Sequence, residues 1–181
     1  MKDAETRTLD DLVSRRRQLI AMRVQETLRL GTMVSKAMQK SLNAHIAWLD
    51  KRIVEIDTDL TQQLRQSDVW RIKDDLLRGI PGVGCVTTQT LLAKCPELGT
   101  LDRREIAALI GVAPLAHDSG KHRGKRFVFG GRADVRAVLY MATVSAIRCN
   151  ASIKAFADRL KQAGKPTKVV SWPVCASYSP S

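Results

Sequence analysis

Between Ser41 and Leu60 the apolar residues Ile46, Leu49, Ile53, Ile56 and Leu60 recur at alternating steps of three and four. That spacing draws a narrow apolar line along a helix. Lys51, Arg52, Glu55, Asp57 and Asp59 occupy the other faces, so the helix must bury its line against a second helix. The preceding stretch supplies one. From Leu9 to about Met38 there is no proline, and Leu9, Leu12, Val13, Leu19, Ile20, Val24 and Leu28 make a looser stripe. We expect one long helix there, with Gly31 as the point of interruption, since glycine inside a helix costs about 1 kcal/mol relative to alanine. An antiparallel helical hairpin over residues 8–65 follows; a coiled coil between chains satisfies the same pattern. Arg15-Arg16-Arg17 reads as a solvated helix face before it reads as a phosphate track.

The chain of 181 residues is long enough for about one domain with a core beside such a hairpin. Only 4% of residues are aromatic, which points to a helical core of Leu, Ile, Val and Ala. Thirty Lys and Arg oppose 18 Asp and Glu, a net charge of +12 with a pI near 10.0. Polyanions are the natural partners of such a surface. Nucleic acid is expected and a membrane is not, because no run approaches the roughly 20 apolar residues that span a bilayer. The start, Met1-Lys2-Asp3-Ala4-Glu5, has no apolar secretory stretch, so a cytoplasmic location is the expectation. Cys85, Cys95, Cys149 and Cys175 have neither paired nor zinc-finger spacing, and no metal site is expected of them.

A boundary falls at Gln66-Ser67-Asp68, where Ser67 or Asp68 can cap a helix through Trp70 to Leu77. Ile80-Pro81-Gly82-Val83-Gly84 stops it, and Cys85 to Ala93 starts the next helix, giving a helix-hairpin-helix pattern. Free amides at the start of that second helix can hold a phosphate, with the helix dipole assisting. Gly82, Val83 and Gly84 are the candidate contacts, and they would grip a backbone without reading sequence. The plainer reading is a tight turn between packed helices.

The densest chemistry lies in Asp118-Ser119-Gly120-Lys121-His122-Arg123-Gly124-Lys125-Arg126. Residues 117–136 hold six Lys or Arg against two Asp, a net +4. A serine attacks phosphorus when a base takes its proton and cations stabilise the charge that develops, and His117, His122 and Asp118 are the candidate bases. Composition alone favours a solvated basic loop with a turn-forming Asp-Ser-Gly. A strand-like or hairpin patch is expected at Lys125 to Phe129, closed by Gly130-Gly131.

The segments Ala44-His45-Ile46-Ala47-Trp48-Leu49, Ile80-Pro81-Gly82-Val83-Gly84, Ile106 to Pro114, Asp118 to Arg126 and Gly130-Gly131-Arg132 occur in the order and spacing of a known family. From about Leu9 to Val170 the chain resembles the C-terminal portion of the insertion-sequence one-ten transposases, relatives of the Piv invertase also called bridge recombinases. The resemblance implies that Ser119 corresponds to a serine that attaches covalently to DNA. It also implies that Gly82, Val83 and Gly84 lie in the hairpin, and that Lys121, Arg123, Lys125, Arg126, Arg132 and Arg136 lie near the nucleic-acid backbone. DNA, a structured guide RNA and, through the coiled coil, further copies of the chain are the implied partners. The family's divalent metal (Mg) is held by carboxylates of an N-terminal RuvC-like domain. The expectation is that this chain lacks such a domain, so no cofactor is expected in it, and strand exchange by it alone is not expected.

The fold expected is therefore mainly α: a long helical hairpin over 1–66, then a compact helical transposase domain over 67–170 with a helix-hairpin-helix element and a small β-like loop. Residues 171–181 carry two prolines and four serines where the resemblance implies another helix, and a frameshift near residue 170 is the expected cause. The competing expectation is a helical oligomerisation module whose charge is incidental, so that neutralising Lys121, Arg123, Lys125 and Arg126 would change nothing.

Overall fold

A computed structural model describes residues 4–115, 118–119, 122–123 and 127–165; the expected tail at 171–181 lies outside them. The chain is mainly α-helical and falls into two compact units, Met1–Ile72 and Lys73–Ser181.

In the first unit α1 (Ala4–Thr32) and α2 (Lys36–Gln66) form the hairpin. Its direction is fixed by the pairs that cross it. Arg16 donates through Nε and Nη2 to Asp57, Arg23 through Nε to Asp50, and His45 Nδ1 lies 3.6 Å from the Glu26 carboxylate. Advancing along α1 meets α2 in reverse, so the two run antiparallel. Thr6, Leu9, Val13 and Leu19 of α1 are buried, as are Leu49, Ile56, Leu60 and Leu64 of α2. Of the heptad line, Leu49 and Leu60 are fully covered and Ile56 nearly so, whereas Ile46 and Ile53 are half-buried. Two helices alone cannot enclose every residue of such a line. The α1 stripe also fades towards the turn, with Val24 and Leu28 exposed.

The expectation of a first helix reaching Met38 is corrected. It passes through Gly31, ends at Thr32, and Met33–Ser35 make the turn, with Ser35 extended at φ −71° and ψ 120°. The Arg16–Asp57 and Arg23–Asp50 pairs across the hairpin fit this register. Arg16 is one of the register ties, its side chain largely covered beside Asp57, and Arg15 donates to Gln18. The arginine run is thus partly spent inside the hairpin.

The helix α3 (Asp68–Arg78) follows, and the division between the units falls inside it. In the second unit α4 (Cys85–Lys94) and α5 (Arg103–Ile110) precede a pair of short β-ladders, and α6 (Ala133–Cys149) and α7 (Ala151–Gln162) follow them. Helix α5 starts with a capping box: Asp102 accepts from the amides of Arg104 and Glu105, and Glu105 accepts from the Asp102 amide at 2.9 Å. Asn150 caps α7 by accepting from the Ile153 amide. Leu91, Leu92, Ile106, Ile110, Val112, Val135, Leu139 and Ala142 are buried in this unit. Ala157 of α7 is buried with Ile147, Ile153, Phe156 and Leu160 packed against it.

The core of α4 is unusually polar. Thr87, Thr88, Gln89 and Thr90 are all buried. The Thr88 and Thr90 hydroxyls are satisfied within the helix, donating to the Gly84 and Val86 carbonyls. That back-bonding is how a threonine can enter a helix core without an unmet hydroxyl.

Candidate nucleic-acid interface

The turn between α3 and α4 is closed by the Ile80 amide donating to the Leu77 carbonyl and the Val83 amide to the Ile80 carbonyl. Its residues face different ways. Gly82 sits at φ +99°, and a Cβ there would come within 2.6 Å of the Ala146 backbone on α6. Val83 is buried. Both therefore seat the turn on the domain core. Gly84 differs: a Cβ there would meet nothing within 4 Å. It precedes α4 without any side-chain cap, so the first amides of the helix carry no capping side chain. Cys85 and Val86, which follow, are exposed. Arg78, the last residue of α3, donates through Nε to Asp74 at 3.0 Å and through Nη2 to Cys85 Sγ at 3.5 Å. Partial burial pulls its guanidinium down, but the hydrogen bond and charge of Asp74 more than reverse this and raise it above the ordinary value.

The segment around Ser119 is an antiparallel structure rather than an unpaired loop. Strand β1 (Pro114–Leu115) pairs with β4 (Phe127–Val128), Pro114 opposite Val128 and Leu115 opposite Phe127. Inside it β2 (Asp118–Ser119) pairs with β3 (His122–Arg123), Asp118 opposite Arg123 and Ser119 opposite His122. Two residues separate β1 from β2 and three separate β3 from β4. The backbone of Ser119 thus belongs to the innermost pair. Sequence reading expected a patch at Lys125 to Phe129 and missed its partner at Pro114–Leu115, because two-residue strands carry no periodicity. His117, Lys121, Lys125 and Arg126 lie outside the described residues, and Arg123 is described by its backbone.

The base of this segment is a close contact between two chain ends. Gly111, at φ +79°, ends α5 with its amide donating to the Ala107 and Ala108 carbonyls. Gly131 lies at φ +65°. A Cβ on Gly111 would overlap the Gly130 carbonyl, and one on Gly131 would overlap Ile110 and the Gly111 nitrogen. Only glycine allows both the left-handed backbone and this approach. The Arg132 amide donates to the Leu109 carbonyl at 3.2 Å, tying the ends again.

Two expected backbone-binding cations are occupied here. Arg132 makes a two-pronged contact with Glu97, at 2.6 and 2.7 Å, and donates to the Lys94 carbonyl at 2.6 Å. The Glu97 hydrogen bonds outweigh partial burial and raise this guanidinium above the usual arginine range. Arg136 donates through Nη1 to the Gly130 carbonyl and, at 3.4 Å, to the Ile110 carbonyl. Both hold the framework beneath the β-ladders. The signal for this was present in the sequence as glycines flanking one segment, Gly111 and Gly130-Gly131, with arginines just after the second.

Charge is unequally divided. Seventeen Lys and Arg against eight Asp and Glu fall in Lys73–Ser181, a net +9, and thirteen against ten in Met1–Ile72, a net +3. Among the described residues no group of three or more His, Cys, Asp or Glu is arranged to hold a metal ion. The divalent metal that the family resemblance implies therefore finds no ligand set among them. No helix among them is long and apolar enough to cross a membrane.

Comparison with known proteins bears on the second unit. No curated protein matches the chain. Residues 74–158, from within α3 to within α7, match the family model described as Transposase IS116/IS110/IS902 family. This stretch contains the exposed start of α4, the ladders around Ser119 and the glycine contact beneath them, and across it the chain carries a module similar to that of these transposases.

Proposed function

We propose that this chain is a DNA-binding part of an insertion-sequence transposase of the IS110 type, acting in transposition or recombination. The observation that carries the reading is the family match over residues 74–158, which takes in both candidate phosphate contacts. One is the start of α4 at Gly84, where uncapped amides can receive a phosphate oxygen. The other is the Ser119 segment, with Lys121, Arg123, Lys125 and Arg126 as its cations. The concentration of net charge in Lys73–Ser181 supports the same unit as the binding part. Gly82, Val83, Arg132 and Arg136 have internal packing or hydrogen-bonding roles, and in this proposal they support the interface.

The chemistry proposed for Ser119 is transesterification. Its Oγ bonds to a backbone phosphorus, the bond from that phosphorus to one sugar oxygen breaks, the serine proton goes to a base, and the leaving oxygen gains a proton. Phosphodiester is exchanged for phosphodiester, so neither an oxidant nor a nucleotide cofactor is required. Metal-binding carboxylates on another domain or partner would complete the family chemistry, and a structured guide RNA would select the DNA. No step assigned to the residues of this chain uses the metal.

Duplex binding measured across a salt series tests the binding reading. Each phosphate contact contributes a slope of about 0.9 in log affinity against log salt. Replacing Lys121, Arg123, Lys125 and Arg126 together by Ala should lower the slope by up to about 3.6; an unchanged slope and affinity would refute a role for the basic segment. For the serine, Ser119→Ala in a chain combined with a RuvC-like domain should abolish covalent protein-DNA adducts. Adducts that persist would assign the nucleophile elsewhere.

A further inference from the structure

Arg136 lies in the first turn of α6, a poor place for a cation by itself, because the amino end of a helix carries partial positive charge. Its guanidinium is directed instead at two carbonyls from separate parts of the chain. The Ile110 carbonyl belongs to the last turn of α5, one of the groups a helix end leaves without an internal partner. The Gly130 carbonyl comes from the strand side of the glycine contact. One Arg136 nitrogen thus bridges the residue before Gly111 and the residue before Gly131. Between those points run residues 112–129, the whole Ser119 segment.

We propose that Arg136 is a positioning residue for the Ser119 hairpin: by bridging the Ile110 and Gly130 carbonyls over the Gly111–Gly131 contact it fixes both ends of residues 112–129, and it acts on nucleic acid only through that segment. The proposal rests on the reading that the hairpin meets a nucleic-acid backbone. It reverses the assignment that the family resemblance suggests for this arginine, from contact to support. Geometry gives the support its leverage. Four residue steps separate Leu115 from Ser119, and a lever of that many extended residues would be about 13 Å. A tilt of about 10° at the base would displace the far end by about 2 Å, more than the roughly 1 Å misplacement that costs a reactive group about a hundredfold in rate. The Arg132 side chain, tied to Glu97 and the Lys94 carbonyl, anchors the same end to the connection after α4, and only its backbone amide, which a substitution leaves in place, reaches the other end at Leu109.

The test uses the full chain, with Arg136→Ala and Arg136→Lys. Hydrogen exchange is followed by amide, and binding of a 30-base-pair duplex is measured across a salt series. Arg136→Ala should speed exchange at Leu115, Phe127 and Val128 at least tenfold while α6 and α7 stay protected. It should also weaken duplex binding at least fivefold and lower the salt slope by more than one contact, since several hairpin cations lose register together. Arg136→Lys, which can reach one carbonyl, should fall between the two. Unchanged exchange with a slope lowered by a single contact would overturn the proposal in favour of direct phosphate binding. Exchange accelerated equally through α5, α6 and α7 in both variants would overturn it in favour of a general stabiliser. If the fourfold Ala replacement at Lys121, Arg123, Lys125 and Arg126 leaves duplex binding intact, the nucleic-acid reading fails, and the exchange measurement still decides whether Arg136 holds the hairpin.

Discussion

Glycine is used for opposite purposes at two positions of one turn. Gly82 is at φ +99° against the Ala146 backbone, whereas Gly84 faces open space with an ordinary φ of −96°. Gly82→Ala should therefore destabilise the protein by about 2–4 kcal/mol, combining backbone strain with overlap. Gly84→Ala should cost less than about 1 kcal/mol, because alanine is only a poorer residue at the start of a helix. Urea unfolding separates the two. If Gly84 receives a phosphate, its variant should weaken duplex binding despite nearly unchanged stability. Both glycines are conspicuous in the sequence, yet which one seats the turn is not, since Ala146 lies 64 residues beyond Gly82. Arg132 teaches the same lesson. As a basic residue after two glycines it reads as a phosphate ligand, and only the fold brings Glu97 to it. Glu97→Ala should cost about 1 kcal/mol, a partly exposed charged pair being weakened by solvent.

At the scale of elements, the three-four spacing predicts the pairing of α1 and α2, and the buried Leu49, Ile56 and Leu60 answer to it. Leu60→Ala should destabilise the hairpin by about 2–5 kcal/mol, and Val54→Ala, on the exposed side, by less than about 0.5 kcal/mol, both measured by chemical denaturation. A polar residue at Leu60 would unfold the hairpin outright, so that substitution cannot report on association between chains. The position of the turn was legible only approximately, from Gly31 just ahead of it. Met33-Val34-Ser35 contains neither proline nor glycine, and Asp57 and Asp50 meeting Arg16 and Arg23 across the pair fit the register. The α5 boundary was legible in principle, because Asp102 and Glu105 stand three apart in the manner of a reciprocal cap and Gly111 follows the last turn. The two-residue strands around Ser119 were not. Their pairing is a matter of backbone hydrogen bonds, which leave no side-chain pattern to read.

For the molecule as a whole, the net charge of +12 is a surplus that one unit largely carries. Neutralising exposed arginines of the hairpin, such as Arg7 and Arg15, should alter the salt slope of duplex binding far less than neutralising as many cations of the Ser119 segment. Fluorescence anisotropy over a salt series would check this, and equal effects would argue that charge acts without regard to place. The glycine contact has a wider implication. Gly111 and Gly131 meet, so both ends of residues 112–129 leave the helical scaffold at one point. A short flexible bridge from Val112 to Phe129 should leave the remaining domain folded, at an entropic cost that changes only slowly with bridge length. The segment is in this sense a cartridge: it can be exchanged for another of different length or chemistry, and the helices beneath would accept the replacement without redesign.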